Sequence, residues 1–281
     1  MMTIFHFFLA LTLYTQPVFD FEEHENKLVF EACISQGKST VPLYTSDIMK
    51  YVVALFRSPY QAGTLEGNET EQLVVNLEAF DCTTFVETVM ALTLAGRREN
   101  PTYEDFKEEL QRIRYRDGII DGYSSRLHYI SDWIRNNKKM GIIEDVTDSI
   151  GGIPFSPKLS YMSTHPELYT ALKANPAEVE KMKAIEEEVN QDTTLYYIPK
   201  GKITRIASKI QDGDILFFTT SIAGLDVQHA GIAYRFGKQL SFFHASSLQG
   251  EVAPQPGTLS AYCRNSKTIT GIIVVRLNSK Q

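Results

Sequence analysis

The sequence predicts an α+β fold in which helices come first and an antiparallel sheet occupies the C-terminal third. Two observations support this prediction. Up to about residue 190, apolar residues recur at helical spacing between start and stop signals. From Tyr196 onward, β-branched and aromatic runs alternate with Asp-Gly, Phe-Gly-Lys and Pro/Gly turn signals. Helices followed by strands is the order typical of layered α+β domains.

Each predicted helix carries its own boundary signals. Ser46-Asp47 precede an apolar stripe, and Thr102 precedes a segment with acidic residues in its first turn and arginines in its last. Asp117-Gly118 ends that segment, and Pro176 is placed to start a later one. The predicted helices cover residues 20–34, 46–57, 82–96, 102–116, 128–139 and 176–190.

The predicted strands are Ile215–Thr219, His229–Arg235, Leu240–Ala245 and Thr270–Leu277. No repeat, low-complexity tract or Gly/Ser-rich linker interrupts the chain. We therefore expect residues 20–281 to form a single domain with helical insertions.

Composition and charge limit the partners of this chain. Its 281 residues are 43% apolar and 22% charged, which is ordinary for a globular protein. A net charge of −6, without a dense Lys/Arg tract, disfavours nucleic acid and other polyanions. The apolar run from Ile4 to Tyr14 has the length of a signal-peptide core and is too short to span a bilayer, although no Lys or Arg precedes it. We expect a signal peptide over residues 1–19, export, and no stable membrane insertion after its cleavage.

Cysteine usage points to one thiol. Cys33, Cys82 and Cys263 allow at most one disulfide, and no CxxC spacing suggests a structural zinc site. Cys82 lies at the start of a predicted helix, where unpaired N–H groups and the helix dipole stabilise a thiolate and lower the thiol pKa. The alternative is that Cys82 is a buried free cysteine that acts as a small hydrophobe.

Two histidines, His229 and His244, occur in the predicted sheet. If Gly237-Lys238 form the hairpin turn, His229 lies opposite Ser246, and His244 is its diagonal neighbour on the same face. A turn at Phe236-Gly237 makes the histidines direct partners, whereas a slip of one residue places them on opposite faces. A thiol and two neighbouring imidazoles provide a nucleophile, a base and a group that orients the base.

These residues belong to an ordered set of motifs. The segment Asp81-Cys82-Thr83-Thr84-Phe85-Val86-Glu87 is followed by Gly213-Asp214-Ile215-Leu216, His229-Ala230-Gly231-Ile232 and His244-Ala245-Ser246-Ser247. The set resembles the NlpC-type papain-like cysteine hydrolases of bacterial cell walls, which share the order Cys, His, His. Four further segments resemble the N-acetylmuramoyl-L-alanine amidase-like branch of this family: residues 58–66, 125–129, 132–134 and 224–226. In the wider family Ser-Gly more often follows Asp-Cys, where this chain has Thr83-Thr84.

The resemblance implies a papain-like fold and hydrolysis of peptidoglycan fragments (muropeptides) in the periplasm. It implies Cys82 as nucleophile, His229 as base and His244 as the orienting group, with a thioester acyl-enzyme and with no metal or other cofactor. The bond cut would join N-acetylmuramic acid to L-alanine. The residues expected to bind substrate or the oxyanion are Tyr60, Asp81, Thr83, Arg126, His128, Tyr129 and Trp133.

In this last group, Arg126 suits a substrate carboxylate and the aromatic rings suit a sugar face. The alternative is that Tyr129 and Trp133 are core aromatics and that Arg126 and His128 cap a helix. Three other functions stay open at this point: a γ-D-glutamyl-diamino-acid endopeptidase, a zinc amidase, and a non-catalytic wall-binding module. The sequence leaves the oligomeric state open.

Overall fold

The computed structural model describes residues 23–38, 46–191 and 194–279. The expected signal peptide and the first residues of the helix predicted over 20–34 lie outside these ranges. The described helices are α1 (Glu23–Lys38), α2 (Ile48–Ala54), α3 (Cys82–Gly96), α4 (Tyr103–Arg114), α5 (Ile130–Lys139), α6 (Tyr161–Thr164), α7 (Thr170–Ala174), α8 (Pro176–Asn190), α9 (Ile203–Ile206) and α10 (Leu259–Asn265). The described strands are β1 (Ile143–Asp145), β2 (Ile153–Pro154), β3 (Tyr196–Pro199), β4 (Ile215–Thr220), β5 (Val227–Phe236), β6 (Gln239–Ser246), β7 (Glu251–Pro254) and β8 (Ile269–Leu277).

The long helices begin where the sequence predicts. Asp81 caps α3 and Thr102 caps α4, each through a reciprocal capping box. Asn175 accepts a hydrogen bond from the N–H of Ala177 at the start of α8, with Pro176 in its first turn. The short helices α6, α7, α9 and α10 lay outside the predicted helices.

The strands form one antiparallel sheet in the order β2-β3-β8-β4-β5-β6-β7, with β1 paired beside β3 on β8. The β5–β6 hairpin pairs Phe236 with Gln239 and Ile232 with Phe243, so Gly237-Lys238 form its turn, which is one of the alternatives that the sequence left open. Strands β1, β2, β3 and β7 were missed because each has four residues or fewer.

Alternating residues of the sheet pack into two hydrophobic cores, one on each face. Ile215 and Phe217 of β4 belong to a large cluster shared with α1 to α5, whereas Leu216 and Phe218 belong to a second cluster shared with α9 and α10. The sheet is therefore covered on both faces. This packing lays α3, which carries Cys82, against β5 and β6, which carry the two histidines.

A third apolar cluster joins the helical insertion α6–α8 to the rest of the domain. It packs Tyr123 and Tyr129 against Met162, Leu172 and Met182. The insertion therefore borders the segment that leads into α5. Within the described ranges, no helix is both long and apolar enough to cross a bilayer.

Candidate active site

Cys82 is held at the first position of α3 by the cap that precedes it. The Asp81 carboxylate accepts hydrogen bonds from the N–H groups of Thr83 and Thr84, at 3.0 and 2.8 Å, while Thr84 Oγ1 accepts from the Asp81 N–H at 2.9 Å. These bonds satisfy the N–H groups that a helix start leaves unpaired. The backbone at the thiol is therefore fixed by its own neighbours.

Cys82 is partly buried among groups of the chain. Burial, and then the Asp81 carboxylate, raise the pKa of the Cys82 thiol to about 11, while the backbone N–H of Ala230 hydrogen-bonds to the sulfur and opposes the rise. The expectation of a thiol pKa lowered by the helix start is therefore wrong, because desolvation outweighs the helix dipole here. The contact with Ala230 brings the sulfur to β5 beside His229.

The two histidines contact each other directly. His229 Nε2 lies 2.6 Å from His244 Nδ1, and the rings meet edge to face with their centroids 4.9 Å apart. Burial lowers the pKa of both imidazoles, to about 3 for His229 and about 4 for His244. Both rings are therefore neutral at pH 7, and the hairpin register explains their contact.

This contact assigns different tasks to the two nitrogens of His229. Because Nε2 is engaged by His244, Nδ1 is the nitrogen left to accept a proton from a thiol. If His229 Nε2–H donates to His244 Nδ1, the Nδ1 lone pair of His229 is free and the ring can act as a base. The arrangement is thus able to deprotonate a thiol and return the proton to a leaving group.

Cys82 and His229 line the same cavity, of about 190 Å³. Its walls come from the start of α3, the segment leading into α5, the helical insertion and the start of β5. The remaining lining residues are Thr83, His128, Tyr129, Ile130, Met162, Tyr169, Leu225, Asp226, Val227 and Gln228.

Tyr60 approaches this site from the segment before α3. Residues 59–61 run beside Phe80, with Gln61 N–H donating to the Phe80 carbonyl at 2.9 Å. Burial raises the pKa of Tyr60, and the nearby Cys82 and Asp81 raise it further. Its phenol is therefore a neutral donor near the sulfur.

His128 and Tyr129 also reach the cavity, but both are already bonded within the chain. His128 Nε2 lies 2.9 Å from the Tyr123 carbonyl oxygen, so Nε2–H donates to it. The Tyr129 hydroxyl donates to Glu186 at 2.6 Å and accepts from the Met162 N–H at 2.8 Å. The two bonds of Tyr129 fasten the helical insertion to the cavity wall.

Two of the residues expected to bind substrate are placed elsewhere. Trp133 is 1% exposed, packs edge to face on Phe217, and donates to the buried Glu87, so no face of its ring is open to a sugar. Arg126 is buried and paired with Glu66 at 2.8 Å and Glu71 at 3.3 Å. The expected sugar-stacking role of Trp133 and carboxylate-binding role of Arg126 are therefore corrected, because the chain's own groups occupy both side chains.

Comparison with known families and structures gives this site a context. The family model described as AmiA-like, N-acetylmuramoyl-L-alanine amidase-like, matches residues 51–271. The chain belongs to this N-acetylmuramoyl-L-alanine amidase-like family. No curated protein matches it.

Solved structures from Bacteroides are similar to this amidase-like chain. An N-acetylmuramoyl-L-alanine amidase from Bacteroides uniformis ATCC 8492 is 40% identical, with a TM-score of 0.79 over 83% of this chain and 99% of the other. A Bacteroides fragilis protein that carries a provisional xylanase name is 44% identical, with a TM-score of 0.76 over 80% and 99%. The Legionella pneumophila protein LPG0564 shares the fold at 22% identity, with a TM-score of 0.64 over 90% and 93%.

The structure of this amidase-like chain adds residues that sequence reasoning missed. Tyr262 of α10 lies with its ring centroid 6.3 Å from both histidine rings, and Met162 and Tyr169 of the helical insertion line the cavity. Asp226 also lines it, with its carboxylate accepting from the Ser131 N–H at 2.6 Å. Only Asp226 carried a signal, through its place in the motif just before β5. The cysteines are all free, and no group of three or more His, Cys, Asp or Glu is placed to hold a metal ion among the residues described.

Proposed function

We propose that this protein is a cysteine amidase that hydrolyses the bond between N-acetylmuramic acid and L-alanine in muropeptides. The observation that carries the proposal is the 2.6 Å contact between His229 and His244 beside the cavity that His229 shares with Cys82. A nucleophile, a base and an orienting group are what thiol-based amide hydrolysis requires. Membership of the amidase-like family supports the choice of substrate.

The first half of the reaction forms the acyl-enzyme. The Cys82 thiol gives its proton to Nδ1 of His229 as the sulfur attacks the lactyl carbonyl carbon of muramic acid. The oxyanion accepts hydrogen bonds from the Cys82 backbone N–H and the Tyr60 hydroxyl. His229 then protonates the alanine nitrogen, the C–N bond breaks, and the peptide leaves behind a thioester on Cys82.

The second half releases the sugar acid. Water attacks the thioester carbonyl while His229 removes one of its protons, and the C–S bond breaks to give the lactyl carboxylic acid, which loses its proton to solvent. The proton on His229 returns to the sulfur. With a thiol pKa of about 11, the uncharged pair is the resting state, so transfer to His229 accompanies attack.

Within this proposal the fold is papain-like, of the NlpC type. Its support is a nucleophile at the start of α3, packed on antiparallel strands that carry the base and the orienting group. The exported, periplasmic location is likewise proposed, since cell-wall fragments are the substrate. The expected leader lies outside the described residues.

A glycosidase of the kind the Bacteroides fragilis name suggests is less well supported. Glycoside hydrolysis uses two carboxyl groups about 5–10 Å apart across the bond. Asp226 is the one carboxylate among the described residues that line this cavity, and it is bonded to the Ser131 N–H. A zinc amidase is disfavoured by the distance between the facing imidazole nitrogens. Zinc–nitrogen bonds are about 2.0–2.1 Å long, so an ion between these nitrogens would keep them farther apart than the 2.6 Å that separates His229 Nε2 from His244 Nδ1.

The decisive experiment incubates the protein with purified muropeptides and identifies the products by mass. Free muramic-acid disaccharide and a peptide that starts with alanine are expected, whereas cleavage after D-Glu would indicate the endopeptidase instead. Cys82→Ala should abolish turnover, and Cys263→Ala, the matched control at a buried cysteine of α10, should retain it. Turnover that survives Cys82→Ala would overturn the mechanism, and binding without any product would indicate a wall-binding module.

A further inference from the structure

We propose that Gln255 is a positioning residue that holds His244 in the tautomer that lets His229 act as a base. The inference rests on the proposed cysteine chemistry and extends it by one residue, beyond the three chemical groups that the sequence motifs provide. Its starting point is a buried atom: His244 is 3% exposed, and its Nε2 has no hydrogen-bond partner within 3.5 Å among the described residues.

The strand register brings Gln255 to that atom. Strand β7 pairs Phe243 with Pro254 and His244 with Ala253, so Gln255 lies opposite Phe242 at the next position. The Gln255 N–H donates to the Phe242 carbonyl at 2.8 Å, which extends the pairing by that residue. Because opposite and diagonal residues of antiparallel strands share a face, Gln255 is the diagonal neighbour of His244 on the same face.

His229 and His244 are likewise diagonal neighbours in the pairing of β5 with β6, where the register places His229 opposite Ser246. The three side chains thus follow one diagonal across β5, β6 and the end of β7. No atom of Gln255 lies within hydrogen-bond distance of His244 Nε2 in the resting structure, but its amide is close enough to oppose the fall that burial causes in the pKa of His244. An amide oxygen that accepts from the ring N–H has this effect, whereas an amide donor has the opposite one.

The far end of this chain of bonds fixes its direction. Gln255 Nε2 lies 3.0 Å from the carbonyl oxygen of Pro256, and a carbonyl only accepts. The amide nitrogen of Gln255 is therefore engaged by Pro256, which leaves Oε1 as the amide atom available to accept from His244 Nε2–H after a small side-chain movement. An acceptor at this position keeps the proton of His244 on Nε2 and leaves Nδ1 to accept from His229.

The opposite polarity would disable the site. If His244 carried its proton on Nδ1, it would donate to His229 Nε2 and leave the His229 proton on Nδ1, facing the thiol. That tautomer has no lone pair for the sulfur proton. The backbone of Gln255 is held for this task, since its carbonyl accepts from Ser241 Oγ at 2.8 Å.

The test compares Gln255→Met, which keeps length without an acceptor, with Gln255→Glu, which keeps an oxygen. Gln249→Met, at an exposed glutamine of the β6–β7 turn, is the matched control. In muropeptide turnover, Gln255→Met should lower kcat about tenfold or more with KM nearly unchanged, since loss of a partner that orients a catalytic ring has effects of this order. Gln255→Glu should recover most of kcat, and the control should match the wild type.

A second readout does not depend on turnover. Nitrogen-15 NMR of the resting protein should show His229 and His244 both protonated on Nε2, and Gln255→Met should shift this population toward Nδ1–H in both rings. Unchanged tautomers in Gln255→Met, or a kcat that Gln255→Glu fails to recover, would overturn the role of Gln255. An inactive wild type that still shows this tautomer shift would refute the proposed reaction but not the positioning.

Discussion

Removing Arg114 should destabilise the helix that carries the nucleophile. Arg114 Nε lies 2.7 Å from Glu87 Oε2, and the two side chains are only 4% and 3% exposed. Trp133 Nε1 donates to the other Glu87 oxygen at 3.3 Å, and Arg114 Nη1 donates to the Val74 carbonyl at 2.6 Å. Arg114→Met would leave the Glu87 carboxylate buried opposite a thioether, with a single N–H donor.

The expected loss in the free energy of unfolding is about 3–5 kcal/mol, the cost of removing one partner of a buried ion pair. Burial already raises the pKa of Glu87 and Arg114 opposes the rise, so the variant should hold Glu87 protonated. A folded state that binds an extra proton loses stability as pH rises. The loss should therefore be larger at pH 8 than at pH 5.

Urea unfolding followed by circular dichroism measures both effects. The double variant Arg114→Met with Glu87→Leu should lose clearly less than the single variant, because no carboxylate is left unpaired. Arg112→Met, on the exposed side of α4, should cost under about 1 kcal/mol. A loss below about 1 kcal/mol in Arg114→Met, or a double variant no better than the single, would refute this explanation.

Three further predictions address residues around the site. Burial and Arg126 lower the pKa of His128 to about 3, so the neutral ring stabilises the fold above pH 6.5 and this stability is lost as pH falls toward 3. Between pH 8 and 5, urea titrations should show the wild type losing up to about 2 kcal/mol more of its free energy of unfolding than His128→Gln, and equal losses would contradict this. Trp133→Phe should lower stability by about 1–3 kcal/mol with the KM for muropeptide unchanged, whereas an increased KM at unchanged stability would restore the sugar-stacking role. In Gly271→Ala the new Cβ would lie 2.2 Å from the Ile198 carbonyl oxygen, so a loss of about 1–3 kcal/mol is expected in thermal melts, against under about 0.5 kcal/mol for Gly201→Ala, where no atom lies within 4 Å.

The reliable parts of the sequence-based prediction were local. Asp81 and Thr102 are helix caps because their side chains reach N–H groups two or three residues away. Of the turns that the sequence left open, Gly237-Lys238 is the one observed, and it sets the register of β5 against β6 that brings the histidines together. Strand β7 escaped prediction because its four residues are placed by pairing with β6 rather than by a pattern of their own.

Predictions about individual environments fared less well. Glu87 belongs to the motif that contains Cys82, but its buried ion pair with Arg114 makes it part of the core. Arg126 and Trp133 have the residue types of a carbohydrate site, but their partners come from distant segments of the chain. A pattern of residue types does not contain those partners, so it does not reveal whether a side chain is already occupied.

The sequence by itself determined the position of Cys82 at a helix start, since that follows from spacing along one segment. For His229 and His244 it left three hairpin registers open, two of which place both rings on one face. The tertiary structure alone decided that α3 packs on β5 and β6, that Cys82 lines a cavity together with His229, and that Gln255 is the diagonal neighbour of His244. The physical reason is that desolvation and hydrogen-bond polarity depend on every group around an atom. Those groups are assembled only when distant segments pack together.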